Sequence, residues 1–192
     1  MWDLIATHIT RVTGQPFQAK SQRSVGGGCI NAATALADGQ QTYFVKLNQA
    51  AQVAMFEAEA AGLEAMVATQ TIRVPQPVCW GTVQNSAYLV LEWLELGGRG
   101  DGNAWAAMGR NLAAMHQATN PNGFGWKLNN TIGSTPQPNP WTPDWVTFWQ
   151  NQRLGFQFQL ANRRGGFFPN QDRLLHTIPH LLDGHHPQPS LV

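Results

Sequence analysis

The chain carries little charge and few cysteines. Charged residues make up 12% of its 192 residues and the formal net charge is +1, whereas soluble domains usually carry about 25% charged residues. This near-neutral balance argues against a nucleic-acid-binding surface or a membrane-surface protein. No run of about 18 apolar residues occurs, which argues against a membrane-spanning helix. The two cysteines, Cys29 and Cys79, cannot form a disulfide framework, so we expect a reducing, cytoplasmic setting.

The first half of the chain has the periodicity of a sheet accompanied by helices. Alternating runs flank Asp38-Gly39, a dipeptide typical of hairpin turns. The apolar residues of 51–68 recur instead at about 100° per residue, as on one face of a helix. The predicted elements are an N-terminal helix over 1–14, strands over 17–25, 30–37 and 41–48, a helix over 51–68, and strands over 78–83 and 87–94.

The second half is rich in glycine, proline, asparagine and tryptophan, a composition that favours long ordered loops between helices. A first helix is predicted over 104–117, and its apolar face would hold Trp105, Met108, Leu112, Met115 and His116. A second helix is predicted to begin at Thr142-Pro143-Asp144, with Thr142 as its cap. A third covers about 170–182.

These patterns predict an α+β fold with two domains. The first, over 1–94, would hold a five-stranded antiparallel sheet and one packed helix. The second, over 95–192, would be mainly helical, with loops rich in tryptophan, proline and glycine.

Three glycines, Gly26, Gly27 and Gly28, followed by Cys29, join the first two predicted strands. They lead into a strand, whereas the glycines of a Rossmann fingerprint open a helix, and they lack the Gly-Lys-Ser/Thr of a P-loop. A glycine turn between antiparallel strands can lie over phosphates because its backbone N–H groups are unobstructed. A flexible hairpin turn that binds nothing is the alternative interpretation.

Lys46 lies within the apolar strand YFVKL. A charge there costs free energy unless it is paired or points outward. On the following helix, Glu59 lies at about 300° when Phe56 is set at 0°, close to Met66 at about 280°, so it points with the apolar face. A glutamate directed inward needs a cation, and the preceding strand offers Lys46. A glycine turn, a strand lysine and a helix glutamate in this order match the arrangement by which kinases hold nucleotide phosphates.

This interpretation makes a geometric prediction. The charged atoms of Lys46 and Glu59 should lie within about 4 Å of each other. Glu57 and Glu64 fall at about 100° and 80°, off the apolar face, and should be more exposed.

Many short runs of the sequence are similar to the fructosamine kinases (ketosamine-3-kinases), which share a protein kinase-like fold with aminoglycoside- and choline-kinase-like enzymes. The similar runs are VGGGCINAA, YFVKLN, MFEAEAAGLEAM, VPQPVCWG and YLVLEWLEL for the N-terminal lobe, and LAAMHQ, FGW, NNTIGSTPQ and DWVTFWQNQRL for the C-terminal lobe. The resemblance implies ATP-dependent phosphorylation of ketosamines, on fructosamine-type glycated amines or protein lysines, which leads to deglycation. It also implies ATP and Mg²⁺ as cofactors.

The resemblance assigns roles to individual residues. Gly26, Gly27, Gly28 and Cys29 correspond to the loop that covers the phosphates. Lys46 corresponds to the phosphate-binding lysine and Glu59 to its catalytic partner. Glu92, Trp93 and Leu94 correspond to the hinge, whose backbone hydrogen-bonds adenine.

One part of the family pattern has no counterpart in the 192 residues. The family's catalytic loop reads His-Gly-Asp and is followed by an asparagine and a later metal-binding aspartate, whereas here the last residues read HHPQPSLV. We therefore expect a chain truncated before that loop, with no metal site of its own and no activity alone. The Mg²⁺ ligands would lie beyond Val192.

Two other functions stay open at this point. A nucleotide-binding pseudokinase or regulatory fragment would bind ATP without turnover, and a carbohydrate-binding module would use the tryptophan-rich loops instead. Expected partners are ATP and a ketosamine, either free or on a glycated protein, with no nucleic acid and no membrane. Cys29 follows the glycines directly, so its thiol is a candidate for a redox-linked homodimer, while Cys79 in a strand should be inert.

Overall fold

A computed structural model describes residues 1–26, 30–97 and 100–191. The chain divides into two compact units, Met1–Met115 and His116–Val192. The larger sheet belongs to the first unit, and the second unit combines helices with a small hairpin. The α+β class is therefore confirmed, while the domain boundary predicted after residue 94 stays a prediction. Within the described ranges, no helix has both the length and the apolar character needed to cross a membrane.

The first unit contains the elements predicted from the sequence, with bounds shifted by a few residues. In chain order they are α1 (Trp2–Thr13), β1 (Ser21–Val25), β2 (Ala32–Ala37), β3 (Thr42–Gln49), α2 (Val53–Thr69), β4 (Pro77–Val83), β5 (Ser86–Glu92) and α3 (Gly102–Met115). The five strands form one antiparallel sheet in the order β1-β2-β3-β5-β4.

The two faces of this sheet are covered by different helices. Successive side chains of a strand point to opposite faces, and β3 shows the consequence. Val45 packs in a cluster with Ile5 and Ile9 of α1, whereas Phe44 packs against the cluster that contains Phe56 of α2. We refer to these as the α1 face and the α2 face.

The α1 face supplies the larger core. Ile5, Ile9, Leu36, Val45 and Val90 are all fully buried there. The two isoleucines are four residues apart, so they lie on one side of α1. Burying a large aliphatic side chain stabilises a fold by about 1.5–3 kcal/mol, so this cluster holds α1 on the sheet.

The α2 face of the sheet has a core cluster of its own. Phe56 and Ala60 of α2 are fully buried against Leu89 and Leu91 of β5. An alanine at the contact lets the helix backbone approach the strands. This contact determines which side of α2 faces β3.

The turn between β2 and β3 is confirmed at Asp38-Gly39. The Asp38 carboxylate accepts hydrogen bonds from the backbone N–H groups of Gln40 and Gln41, both at 2.7 Å. Gly39 has φ +98°, a conformation that favours glycine. These hydrogen bonds lower the pKa of Asp38, the one from Gln41 most. The turn sets the register in which Ala37 pairs with Thr42.

The prediction for α3 is correct in position and wrong in burial. Met115 is buried, but Trp105, Met108 and Leu112 are 62%, 53% and 37% exposed, and His116 lies beyond the helix and is exposed. Among the described residues of the first unit, no helix or strand packs closely over this face. The spacing of apolar residues therefore predicted the helix correctly but did not predict how exposed its apolar face is.

The second unit contains a short hairpin that the sequence patterns did not predict. Its elements are β6 (Asn130–Ile132), β7 (Thr135–Gln137), α4 (Trp145–Phe148), a π-helical stretch (Trp149–Gly155), α5 (Phe156–Arg163) and α6 (Gln171–Leu181). The predicted helix cap at Thr142 is wrong. Asp144 is the cap, because its carboxylate accepts the N–H of Thr147 at 2.7 Å.

A buried amide organises the second unit around β6 and β7. Asn139 is 3% exposed. Its Nδ2 donates to the Leu128 carbonyl and to Asn130 Oδ1, both at 3.0 Å, and its Oδ1 accepts from Arg153 at 2.7 Å. The Arg153 guanidinium also lies 4.4 Å from the centre of the Phe148 ring. The hairpin is thereby tied to the helical stretch that follows it.

Candidate active site

Lys46 and Glu59 form an ion pair on the α2 face of the sheet. The Lys46 Nζ lies 2.7 Å from Glu59 Oε1 and 2.8 Å from Oε2. The geometric prediction is confirmed, and Glu57 and Glu64 are exposed as expected. Lys46 reaches α2 because it shares a strand face with Phe44, and Glu59 reaches β3 because it lies one turn beyond the buried Phe56.

The Lys46 ammonium keeps one hydrogen-bond donor that the ion pair does not use. An ammonium group has three N–H donors, and Lys46 gives two of them to the Glu59 carboxylate. The side chains are 23% and 31% exposed, so the pair is open to a ligand and to solvent. The remaining N–H can bind an anion while Glu59 holds the ammonium in place.

The glycine turn is only partly within the described residues. Gly27, Gly28 and Cys29 lie outside them, so the assignments on those residues stay predictions. Gly26 follows β1, and a Cβ built on it would meet no atom within 4 Å. β1 and β2 pair directly, with Val25 opposite Ala33. Ala33 in turn lies opposite Lys46, which places the start of the turn two strands from the ion pair.

Two asparagines next to this turn were not predicted as functional residues. Asn48 Nδ2 donates to Asn31 Oδ1 at 2.6 Å. In the register of β2 and β3, Ala32 lies opposite Leu47 and Ala37 lies opposite Thr42. Counting outward from the Asp38-Gly39 turn therefore pairs Asn31 with Asn48. This count could have predicted the contact from the sequence.

The predicted hinge residues lie at the end of β5: Glu92 is its last residue, and Trp93 and Leu94 follow it. Glu92 pairs with Arg73, with 2.5 Å between the Arg73 Nη2 and Oε1, and its backbone N–H donates to the Gln76 carbonyl at 2.8 Å. The hydrogen bond from Arg73 lowers the pKa of Glu92. These contacts fix Glu92 to the segment before β4.

Trp93 lies at the border between the two faces of the sheet. Its ring centre is 6.4 Å from that of Phe44, and the Arg23 guanidinium lies 5.8 Å from it. The indole N–H donates to Glu95 at 2.8 Å. Arg23 was not predicted from the sequence, since its approach to Trp93 depends on the pairing of β1 with the central strands. Leu94 is half-buried.

A cavity of about 490 Å³ lies on the opposite side of the sheet. Its walls come from the end of α1, the start of β3 and the start of β4, together with Glu92 and Trp93. Tyr43 and Val78, which line it, belong to the α1 face. Lys46 points to the α2 face, so the cavity and the ion pair are separate features. The ion pair is the stronger candidate for chemistry because it combines a cation on β3 with its carboxylate partner on α2, and β3 pairs with β2, which follows the glycine turn.

Metal-ligating groups do not come together in residues 1–26, 30–97 and 100–191. No cluster of three or more histidine, cysteine, aspartate or glutamate side chains is present there. The acidic residue next to Lys46 is Glu59, and both of its oxygens are engaged by the ammonium. Glu59 therefore pairs with Lys46 in this structure and has no oxygen left over for a metal ion.

The two cysteines differ in what the structure describes. Cys79 is 3% exposed in the core of the α1 face, and burial raises the pKa of its thiol to about 12. A buried thiol with a raised pKa forms little thiolate at neutral pH, which agrees with the expectation of an inert core cysteine. Cys29 lies outside the described residues.

Comparisons of the sequence with known proteins agree on one family. The model of the fructosamine kinase family matches residues 1–192. A protein of Synechocystis named "Probable ketoamine kinase" is 56% identical over 191 residues, which are 100% of this chain and 64% of that protein. A chloroplastic protein-ribulosamine 3-kinase of Oryza sativa subsp. japonica is 39% identical over 197 residues, covering 100% of this chain and 55% of that protein.

Solved structures agree with the sequence comparison. The crystal structure of a "Putative fructosamine-3-kinase" from Haemophilus somnus 129PT superposes with a TM-score of 0.87 at 28% identity, covering 97% of this chain and 63% of that one. The corresponding protein of Thermobifida fusca gives a TM-score of 0.76 at 26% identity, over 98% and 65% of the two chains. The chain thus spans less than two thirds of the length of these relatives.

The resemblance predicted from the sequence runs is confirmed by a match over the full 192 residues and by the shared fold. The protein kinase-like α+β architecture, with a five-stranded antiparallel sheet, is confirmed with it. This chain belongs to the fructosamine kinase family.

Proposed function

We propose that this protein takes part in the ATP-dependent phosphorylation of ketosamines and that its first unit holds the nucleotide. The observation that carries the proposal is the bidentate Lys46–Glu59 pair on the α2 face, next to the strands that flank the glycine turn. A strand lysine oriented by a helix glutamate is the device that positions nucleotide phosphates in kinases. The names of the relatives, ketoamine kinase and ribulosamine 3-kinase, support the same class of reaction.

Each nucleotide contact falls to a distinct part of the first unit. Lys46 would bind a phosphate oxygen through its remaining N–H, while Glu59 keeps the ammonium directed. Gly26, Gly27, Gly28 and Cys29 would cover the phosphates with backbone N–H groups. The backbone N–H of Glu92 already donates to Gln76. Adenine recognition would therefore rest on the Glu92 carbonyl and on the backbone of Trp93 and Leu94.

Bound Mg²⁺ would neutralise charge on the phosphates in such a reaction. The described residues contain no cluster of three or more histidine, cysteine, aspartate or glutamate side chains. No aspartate of the 192 residues stands in a His-Gly-Asp motif. We therefore expect this polypeptide by itself to bind ATP and to transfer no phosphate.

The proposed acceptor is a ketosamine hydroxyl, either on a small fructosamine-type adduct or on a glycated protein lysine, and its phosphorylation would lead to deglycation. A reducing, cytoplasmic location belongs to the proposal as well, and so does a redox-linked homodimer through Cys29 that forms only on oxidation, since both rest on the sequence pattern. A pseudokinase and a carbohydrate-binding module are not favoured by the comparisons.

The test is a pair of measurements on the purified 192-residue chain. Titration with ATP is expected to show saturable binding that Lys46→Met weakens. A phosphorylation assay with a model fructosamine, ATP and Mg²⁺ is expected to give no product with this chain and product with a relative that includes the His-Gly-Asp loop. Absence of ATP binding by the folded chain would refute the proposal.

A further inference from the structure

The hydrogen bond between Asn31 and Asn48 is short and lies on a functional face. Asn31 immediately precedes β2 and Asn48 is in β3, two residues after Lys46. Continuing the β2–β3 register by one pair places the two residues opposite each other, and a hydrogen bond of 2.6 Å joins their side chains. Alternate residues of a strand share a face, so Asn48 lies on the same side as Lys46, about 6.6 Å further along β3.

The contacts of Asn48 determine the orientation of both amides. Its Oδ1 accepts the backbone N–H of Gln49 at 2.7 Å. The Asn48 Nδ2 must then be the atom that faces Asn31, where it needs an acceptor. Asn31 therefore presents its Oδ1 to Asn48, and its Nδ2 is turned away from β3.

The amide nitrogen of Asn31 is thus a directed donor. Within residues 1–26, 30–97 and 100–191, Asn31 Nδ2 donates to no acceptor, and no buried side-chain nitrogen or oxygen lacks a partner there. The Asn31 side chain is half-buried, so its Nδ2 can reach a ligand. Asn31 also sits at the C-terminal end of the glycine turn, on the strand face that carries Ala33 opposite Lys46.

We propose that Asn31 contacts the nucleotide phosphates through its amide N–H groups, next to Lys46, and that Asn48 is the positioning residue that orients it. This inference rests on the proposed nucleotide site and adds a neutral donor to the lysine. A neutral amide here has a physical advantage. It binds phosphate oxygen without adding a second cation that would repel the Lys46 ammonium.

Two substitutions separate contact from positioning. Asn31→Asp keeps the shape and still accepts from Asn48, but it replaces the donor with a carboxylate that faces phosphate. Loss of a hydrogen bond to a charged group, together with repulsion, should weaken ATP binding by about 10-fold or more. Asn48→Asp still accepts the backbone N–H of Gln49 with one carboxylate oxygen and presents its other oxygen, an acceptor, to Asn31. The Asn31 amide should then rotate to donate to it and lose its phosphate contact.

Both variants should weaken ATP far more than adenosine, which has no phosphate. Gln22→Glu is the matched control: it makes the same amide-to-carboxylate change in the same sheet at an exposed position of β1. It should leave the Kd for ATP within about twofold of the original value. Asn31→Ala, which adds no charge, should still weaken ATP selectively by about threefold or more.

Equal weakening of ATP and adenosine would show that the asparagine pair only stabilises the fold, and unchanged ATP binding by Asn31→Asp and Asn31→Ala would overturn the contact itself. A failure of the original chain to bind ATP would instead overturn the proposed function. Loss of ATP binding in Lys46→Met, without any effect at Asn31, would leave the nucleotide site standing and refute this inference alone.

Discussion

Replacing Lys46 by methionine tests the nucleotide site most directly. Methionine keeps much of the apolar stem of the side chain and removes the ammonium. The structure leaves one N–H of Lys46 for a phosphate, because Glu59 takes two. A hydrogen bond to a charged group contributes about 1.5–3 kcal/mol, so the Kd for ATP should rise by about 10- to 150-fold. Isothermal titration with ATP measures this directly, and adenosine binding should change little.

Substitution of Glu59 should weaken ATP binding less than substitution of Lys46. Glu59→Gln keeps one acceptor for Lys46 and removes the charge, and a partly exposed ion pair contributes at most about 1 kcal/mol. The expected loss of ATP affinity is therefore up to about fivefold. Glu57→Gln makes the same change two residues earlier on the exposed side of α2 and should have no effect. A folded Lys46→Met variant that binds ATP as tightly as the original, or equal effects of the two glutamate variants, would refute the reasoning.

Three further outcomes are expected. Arg153→Met should lower the midpoint of thermal unfolding by several degrees, because it leaves the buried Asn139 Oδ1 without its donor at a cost of about 1–3 kcal/mol; an unchanged midpoint would mean that the second unit does not depend on this amide. Burial lowers the pKa of His8, so the folded state disfavours its protonation and stability should fall as the pH drops below about 6.5. Urea midpoints at pH 7.5 and 5.5 should differ less in His8→Gln than in the original chain, and an equal difference in both would exclude His8 as the cause. Cys29 should react with a thiol reagent much faster than Cys79, whose pKa is about 12, and ATP should slow the reaction at Cys29; equal rates at the two cysteines would contradict the burial of Cys79.

Periodicity was sufficient for the parts of the fold whose pattern is local. The alternation around Asp38-Gly39 gave β2 and β3, and the helical phase of α2 placed Glu59 toward Lys46, because the buried Phe56 fixes that phase. These predictions needed only the residues of one element and its neighbour. That is why the ion pair could be predicted before the fold was known.

Features that depend on register or on tertiary contacts were not predicted. The Asn31–Asn48 pair joins residues 17 positions apart, and finding it requires counting outward from the turn. The β6–β7 hairpin has strands of three residues, one of which contains Pro136, too short for any alternation to be visible. Asp144 rather than Thr142 caps α4, because both residue types are good caps and only the backbone conformation decides between them.

The buried Cys79 thiol has a use beyond its inertness. It sits under α1, in contact with the cluster that holds this helix on the sheet, so a reagent can reach it only when that region opens. In a Cys29→Ser background, the rate of labelling at Cys79 would report the population of the open form as long as reclosing is fast. Comparing that rate with global unfolding in urea would show whether the N-terminal helix detaches as an independent cooperative unit or only together with the whole sheet.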